Sequence, residues 1–189
     1  MSRYRGATIR GGAFFFTLAL ADRSSDLLVR EIERLRRAYK LTQGRHPFET
    51  VAICVLPDHI HALWQLPEGD TDYATRWNLF KSSFSRGLAP AKLRSASKIA
   101  KREKGIWQRR YWEHVIRDDT DLERHVDYIH YNPVKHRIVS RVRDWPHSSF
   151  HALSNAASCP PIGPATRRIV RAAPANSRVD AALSSSRRM

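Results

Sequence analysis

Residues 51–66, VAICVLPDHIHALWQL, carry the pattern of a β-hairpin. The uninterrupted apolar run over residues 51–56 predicts a strand that is buried on both faces. Pro57 and Asp58 are typical turn residues, and the residues from His59 to Leu66 predict an antiparallel neighbour of that strand. The hairpin therefore predicts the middle of a larger sheet.

The sequence before the hairpin predicts a strand and a helix. Residues 13–21, AFFFTLALA, predict the first strand, which ends at the polar residues 22–25. Ser24 or Ser25 is expected to cap the helix, and Gly44 and Pro47 to end it. One apolar face of this helix is predicted by Leu28, Ile32, Leu35 and Tyr39.

The sequence after the hairpin predicts two further helices and a strand. A helix face is predicted by the aromatic residues Tyr73, Trp77, Phe80 and Phe84. Residues 107–117 predict a strand, and a third helix is expected to begin at Asp119 or Thr120 and to end at Pro133. This order predicts an α+β fold, a ferredoxin-like βαββαβ antiparallel sheet covered by helices on one face, with an added C-terminal helix.

The composition predicts one folded domain over residues 1–151 and a basic, disordered tail over residues 152–189. Residues 154–189 contain no Phe, Trp or Tyr, and they hold six Arg against one Asp. Such a segment cannot bury enough apolar surface to fold. The whole chain is 42% hydrophobic and 10% aromatic, which excludes global disorder.

The charge balance favours a polyanionic partner. Lys and Arg number 33 against 18 Asp and Glu, for a net charge of +15. No apolar run reaches the roughly 20 residues of a membrane helix, so no membrane partner is expected. Residues 13–21 imitate a secretory signal but fit better as a strand, and the two cysteines form no disulfide framework. We therefore expect a cytoplasmic protein.

His59 and His61 are the first candidate site residues. Side chains at i and i+2 of a strand lie on the same face, so both imidazoles are expected opposite Ile60, Ala62 and Trp64, which would enter the core. Two neutral imidazoles form half of a site for a divalent metal and need further ligands from elsewhere. A His-x-His pair alone is a weak signal, because most such pairs on strands are ordinary exposed or packed histidines.

The third helix supplies the second group of candidates. One face of that helix is predicted to carry Asp121, His125, Tyr128 and Asn132. A tyrosine hydroxyl can attack phosphorus, and the Asn132 amide oxygen, one turn away, could ligate a metal at the same phosphate. Tyr131 is the alternative nucleophile. It lies about 300° around the helix from Tyr128, so the geometry favours Tyr128.

Together these motifs resemble the HUH single-tyrosine transposases. LPDHIHALW at residues 56–64 resembles their HUH motif. DYIHYNPVK at residues 127–135 resembles the tyrosine motif of REP-associated tyrosine transposases, which are relatives of the IS200-like enzymes. Segments 12–17, 105–113 and 144–150 match as well, so the resemblance spans roughly residues 4–151.

The resemblance implies a transposase that binds single-stranded DNA and REP-type hairpins. It implies cleavage and rejoining of a DNA strand through a 5′-phosphotyrosine in DNA transposition and recombination. By position, His59 and His61 would bind Mg²⁺ or Mn²⁺, Tyr128 would be the nucleophile, and Asn132 would stand where related enzymes have a glutamine ligand. Arg137 stands where relatives often have Gly, which is unfavourable if the backbone there is left-handed.

Other properties and classes follow from the same residues. The chain has no GxxxxGK loop, so no nucleotide cofactor is expected, and it could be a monomer or a homodimer. A domesticated, non-catalytic nucleic-acid-binding protein and a metal-dependent hydrolase remain as alternatives. Only the transesterase forms a covalent adduct with DNA.

A basic segment, residues 76–111, is expected to contact DNA phosphates. It contains eleven Lys or Arg and a single acid, Glu103. A solvated charged loop is the alternative interpretation. The predicted phosphate contacts are Arg76, Lys81, Arg86, Lys92, Arg94, Lys98, Lys101, Arg102 and Lys104.

Overall fold

The sheet has the predicted antiparallel architecture. A computed structural model describes residues 10–92 and 94–154 of the chain. Its four strands are hydrogen-bonded in the order β2-β3-β1-β4, and every neighbouring pair is antiparallel. The strands are β1 Ala13–Ala19, β2 Glu49–Val55, β3 His59–Gln65 and β4 Trp112–Val115. The predicted α+β fold is confirmed, with β3 and β1 in the middle of the sheet.

The helices differ from the prediction mainly at their ends. They are α1 Leu27–Arg30, α2 Ile32–Arg45, α3 Tyr73–Ser85, α4 Ala96–Ala100, α5 Asp119–Lys135 and α6 Phe150–Ser154. The first predicted helix is divided at Glu31 and begins after Asp26, whose side chain makes no capping hydrogen bond. The predicted role of Ser25 is supported, because its hydroxyl accepts from the Leu27 amide at 3.3 Å. Ser24 is not available as a cap because its hydroxyl donates to Asp22 in the preceding turn.

The aromatic core fills the space between the sheet and helices α2 and α3. All the residues that predicted the α3 face are buried, as are Phe14 and Phe16 of β1. The rings of Trp64 and Trp77 stack with their centroids 3.7 Å apart. The Trp64 indole N–H donates to the Tyr39 hydroxyl, so the polar end of this large side chain is satisfied inside the core.

Helix α5 packs on the opposite face of the sheet. It contacts β2 and β3, and its Tyr128 ring meets Phe15 and His61, which alternate with the core residues of their strands. The sheet therefore has a helix on its second face too, and this is the added C-terminal helix that the sequence predicted without specifying its face. The apolar stripe that drives this packing consists of Leu122, Val126 and Ile129, all buried.

The end of α5 contradicts the predicted stop at Pro133. Pro133 lies inside the helix, which continues to Lys135. The proline removes one backbone donor, but the amide of His136 still donates to the carbonyl of Asn132, so the helix runs on past it. Arg137 then adopts a left-handed conformation, with φ +58, and closes a Schellman-type C-terminus. Arg137 therefore has the left-handed backbone conformation that is unfavourable for an arginine.

The chain after α5 covers the edge of the sheet at β2. The amide of Ser149 donates to the carbonyl of Ile53, and the Val55 amide donates to the carbonyl of His147. The Trp145 indole N–H donates to the Val55 carbonyl at 2.9 Å. These bonds satisfy backbone groups that an open edge strand would expose.

Two predicted regions differ in extent or lie partly outside the described residues. Strand β4 is shorter than residues 107–117, and Trp107 forms only an isolated bridge with Leu20. Residues 155–189 of the predicted tail lie outside the described residues, so its boundary stays a prediction. Within the described ranges, no helix has the length and apolar character needed to cross a membrane.

Burial of His130 on α5 makes the stability of the fold sensitive to acid. Its Nε2 lies 3.0 Å from the Ser149 hydroxyl, and burial lowers the pKa of His130 to about 4. An unfolded histidine titrates near pH 6.5, so between about pH 6.5 and 4 the unfolded state binds more protons than the folded state. The free energy of unfolding therefore falls as the pH falls through this window.

We expect His130→Gln to remove this part of the pH dependence. Between pH 7 and 4 the wild type should lose up to about 3 kcal/mol more free energy of unfolding than the variant. Urea unfolding at a series of pH values measures the difference. Ser149→Ala, which keeps the imidazole, should retain the wild-type pH dependence. Equal pH dependence in the wild type and His130→Gln would contradict the assignment.

Candidate active site

His59 and His61 lie side by side on β3, on the face opposite the aromatic core. Their ring centroids are 4.8 Å apart, and both residues are only 4% exposed. Nδ1 of His61 lies 2.9 Å from the Thr17 hydroxyl, and Nδ1 of His59 lies 2.7 Å from the Asp58 carboxylate. Because both Nδ1 atoms are engaged, Nε2 is the nitrogen that each ring has left for a ligand.

Asp58 is hydrogen-bonded to His59 and forms an ion pair with Arg23. The Arg23 guanidinium contacts the other oxygen of Asp58 at 2.6 Å. Burial opposes ionisation of Asp58, but the hydrogen bond and charge of His59, together with Arg23, outweigh it and lower the pKa of Asp58. The carboxylate therefore stays ionised and fixes the His59 ring.

Helix α5 brings Tyr128 and Asn132 over this histidine pair. The Tyr128 ring centroid is 5.2 Å from that of His61, and Tyr128 is 38% exposed. The Lys135 ammonium lies 4.7 Å from the Tyr128 ring centroid. Asn132 is fully buried, and its amide nitrogen donates to the Tyr128 carbonyl. Tyr128 is thus partly accessible from solvent, whereas the Asn132 side chain is enclosed.

Two buried polar atoms of this cluster have no hydrogen-bond partner within the described residues, namely Nε2 of His61 and Oδ1 of Asn132. Burial, and secondarily His59, lowers the pKa of His61 to about 3, against the opposing interaction with the Asn132 side chain, so the imidazole is neutral. In the tautomer in which Nδ1 donates to the Thr17 hydroxyl, Nε2 carries the lone pair. An unpaired buried acceptor is unfavourable unless a ligand satisfies it. Imidazole nitrogen and amide oxygen both suit a divalent cation, so His59, His61 and Asn132 fit a metal.

Of the two tyrosines in the motif, Tyr128 is the one that meets the histidines. Its ring contacts His61 and Phe15, and Tyr131 makes no ring contact with either in the part of the chain that the structure describes. The assignment of the nucleophile to Tyr128 remains a proposal, but the helix geometry that favoured it agrees with these contacts.

A second cluster, His114, Asp121 and His125, forms a candidate metal-binding triad on the same face. One ligand atom of each residue lies within 4.8 Å of the others. Nε2 of His114 is 2.8 Å from Asp121, which also accepts from the Arg117 guanidinium. Burial opposes the ionisation of Asp121, but hydrogen bonds from His114 and Arg117 outweigh it and lower the pKa.

The two clusters differ in how their ligand atoms are used. The Asp121 carboxylate already accepts hydrogen bonds from its neighbours, whereas His61 and Asn132 present unpartnered atoms. The His61 cluster therefore offers buried ligand atoms that no hydrogen bond occupies. Sequence reasoning missed the triad. It placed Asp121 and His125 on one helix face, but no spacing indicated that His114 of β4 lies against them.

The basic segment does not act as one surface. Arg76 is 3% exposed, and its guanidinium donates within the protein to His46, Pro47, Asp70 and Asp72. Arg76 is thus a structural residue, and its prediction as a phosphate contact is wrong because the charge is already enclosed. Lys104 donates to the carbonyls of Ser85 and Leu88, Lys81 to that of Gln108, and Arg94 to that of Glu103.

The remaining predicted phosphate contacts lie mostly at the surface. Arg86, Lys92, Lys101 and Arg102 are exposed, and Lys98 is half-buried. Arg102 adopts a left-handed backbone conformation, with φ +55, directly after α4. These five residues stay candidates for phosphate contacts.

The fold and site belong to a class of transposases. The sequence model of the family described as Transposase IS200 like matches residues 19–132, which run from the end of β1 to Asn132 of α5. The match includes both histidines and Tyr128. Membership of this class implies a DNA-cleaving enzyme.

Two relatives identify the family within this class of transposases. A Haemophilus influenzae protein assigned to the REP-associated tyrosine transposases is 56% identical over 153 residues, covering 80% of this chain and 86% of the relative. The REP-associated tyrosine transposase of Escherichia coli is 44% identical over 151 residues, covering 80% and 84%. The chain belongs to the REP-associated tyrosine transposases, as its motifs indicated.

A solved structure supports the same family. The structure of a REP-associated tyrosine transposase bound to a REP hairpin is 43% identical to this chain, with a TM-score of 0.72. The comparison covers 85% of this chain and 89% of the other. In that structure the DNA bound to the protein is a REP hairpin.

We expect the exposed cations after α3 to contribute to DNA binding. Removing one phosphate contact should reduce the slope of log affinity against log salt by about 0.7 to 0.9. The double variant Lys101→Gln with Arg102→Gln should therefore flatten this slope for hairpin DNA, as measured by anisotropy titrations at several salt concentrations.

A matched double variant controls for net charge. Lys40→Gln with Arg45→Gln removes one Lys and one Arg, both exposed on α2 and neither of them among the predicted phosphate contacts. This variant should leave the salt slope close to the wild-type value. If both double variants flatten the slope equally, only the total charge matters and the assignment to residues 101 and 102 is wrong.

Proposed function

We propose that this chain cleaves and rejoins single-stranded DNA beside a REP-type hairpin, with Tyr128 as the covalent nucleophile. The observation that carries the proposal is the position of Tyr128 against His61, above the unpartnered Nε2 of His61 and Oδ1 of Asn132. The hairpin-bound relative supports the choice of DNA. Because the proposed substrate is DNA, the expected location remains the cytoplasm.

The proposed reaction is a transesterification. The Tyr128 oxygen attacks the phosphorus and its hydroxyl proton passes to water, while the bond from phosphorus to the 3′ oxygen breaks and this oxygen takes up a proton from water. The products are a 5′-phosphotyrosine and a strand with a free 3′-hydroxyl. Since one phosphodiester replaces another, the reverse attack by a 3′-hydroxyl rejoins the strand without a nucleotide cofactor.

The residues around Tyr128 have separate tasks in this proposal. His59, His61 and Asn132 would hold Mg²⁺ or Mn²⁺, which when bound withdraws charge from the phosphate. Asp58 and Thr17 keep the imidazoles in a ligating orientation through their Nδ1 atoms. Lys135, over the Tyr128 ring, adds positive charge where the phosphate approaches.

We expect Tyr128→Phe to abolish the covalent adduct while leaving the fold and hairpin binding intact, because only the hydroxyl is removed. Incubation with a flanked hairpin followed by denaturing electrophoresis detects the adduct. Tyr131→Phe is the matched control and should still form it. An adduct with Tyr128→Phe, or none with a folded Tyr131→Phe, would assign the nucleophile elsewhere. Hairpin binding without any adduct in the wild type would favour the non-catalytic alternative.

We also expect cleavage to depend on a divalent cation held by the histidine pair. EDTA should stop strand cleavage by the wild type. His59→Ala and His61→Ala should reduce it at least tenfold, and raised Mn²⁺ should restore part of the activity because only one of several ligands is removed. His114→Ala, which alters the second cluster, is the control. Strand cleavage by this variant should depend on the divalent cation as cleavage by the wild type does. Cleavage that is indifferent to EDTA would leave the histidines as structural residues.

A further inference from the structure

Trp112 is a large aromatic residue that the fold leaves at the surface beside the candidate active site. It is 55% exposed, whereas Trp64, Trp77, Trp107 and Trp145 are all buried. It lies on β4, the strand at one edge of the sheet. Trp112 has no role in the reaction proposed above, yet it lies on the same face of the sheet as the histidine pair.

The strand register aligns Trp112 with the histidine pair. Trp112 is paired with Thr17 of β1, and Thr17 is paired with His61 of β3. Paired residues of antiparallel strands project from the same face, and neighbouring strands are about 4.8 Å apart. Trp112 therefore stands two strands from His61, about 10 Å across the sheet. Phe15 lies between them and contacts both rings and that of Tyr128.

The ring of Trp112 is held in one orientation although it is exposed. Phe15 meets it edge to face, with centroids 5.5 Å apart. The His114 ring is parallel to it within 4°, at 5.8 Å, and stacks in turn on His125. A ring fixed on its inner side, with its remaining surface open, presents a preformed stacking surface.

We propose that Trp112 stacks on an unpaired nucleobase of the DNA strand whose phosphodiester lies at Tyr128. The proposal rests on the proposed function, because that function brings a single strand to this face. Aromatic side chains bind single-stranded DNA by stacking, and every base has a suitable face. A base within a duplex already stacks on both neighbours, so the occupant is an unpaired base in the flank of the hairpin.

The charges around Trp112 suit a nucleotide. Arg110 precedes the strand and is exposed. Arg117 follows it with 72% of its side chain exposed, and because its Nε donates to Asp121, its terminal nitrogens are the groups left for a phosphate. An aromatic ring between two arginines offers one contact for a base and two for phosphates. A second copy of the chain, with its net charge of +15, would be repelled from such a surface.

The test compares affinities in EDTA, so that cleavage does not enter the measurement. The probes are a REP-type hairpin with a single-stranded flank and the same hairpin without the flank. Trp112→Ala should weaken binding of the flanked hairpin by about 5- to 150-fold and leave the bare hairpin unchanged. Trp112→Phe should retain part of the affinity. Leu41→Ala is the matched control and should leave both affinities unchanged, because Leu41 on α2 is also a large exposed apolar residue, 40% exposed, and lies outside the basic segment.

An abasic scan of the flank identifies the stacked base. Removal of the base at one position of the flank should weaken binding by the wild type, whereas the same removal should hardly change binding by Trp112→Ala.

An identical abasic profile in both proteins would overturn the proposal. If Trp112→Ala loses affinity equally for the flanked and the bare hairpin, Trp112 stacks on the end of the duplex, and the proposal is wrong. A change of oligomeric state in Trp112→Ala would also overturn the proposal, because it would show that Trp112 lies at an interface between two copies of the chain. Because the readout is binding, its result stands apart from whether Tyr128 forms an adduct.

Discussion

The alternation of side chains along β3 is the constraint on which the candidate site depends. β3 is hydrogen-bonded on both sides, and six of its seven residues are buried. Ile60, Ala62 and Trp64 are committed to the aromatic core, so His59 and His61 must project from the other face. A slip of one residue would exchange the two sets and place imidazoles in the core. The stability of the core thus fixes the orientation of the histidine pair.

The second face of the sheet is organised around Phe15 and α5. Leu122, Val126 and Ile129 anchor the helix through apolar contacts, and these contacts set the rotation that directs Tyr128 and Asn132 to the histidines. Asp121 adds polar contacts between α5 and β4 through its hydrogen bond with His114. The proposed nucleophile is carried on a packed helix and two of the proposed metal ligands on a central strand, so the proposed site is preorganised.

The cations of the chain divide into those that build the fold and those left for a partner. Arg76 is buried among carbonyl oxygens and the Asp70 carboxylate, and Lys104 ties the segment before β4 to the end of α3. Sequence composition counts these residues together with Lys101 and Arg102, although only the latter two are exposed. A net charge therefore indicates a polyanion partner but does not identify which side chains touch it.

By itself the sequence determined the order of the elements, the antiparallel sheet and the two motifs, because apolar periodicity and local spacing specify which residues share a face. It could not determine how α5 lies on the sheet, that Pro133 would remain within the helix, or that residues 145–149 would cover β2. It also could not foresee that His114 meets Asp121 and His125, or that Arg76 is enclosed. These features arise from contacts between residues distant in the chain, where hydrogen bonds and packing formed in the folded state override local preferences.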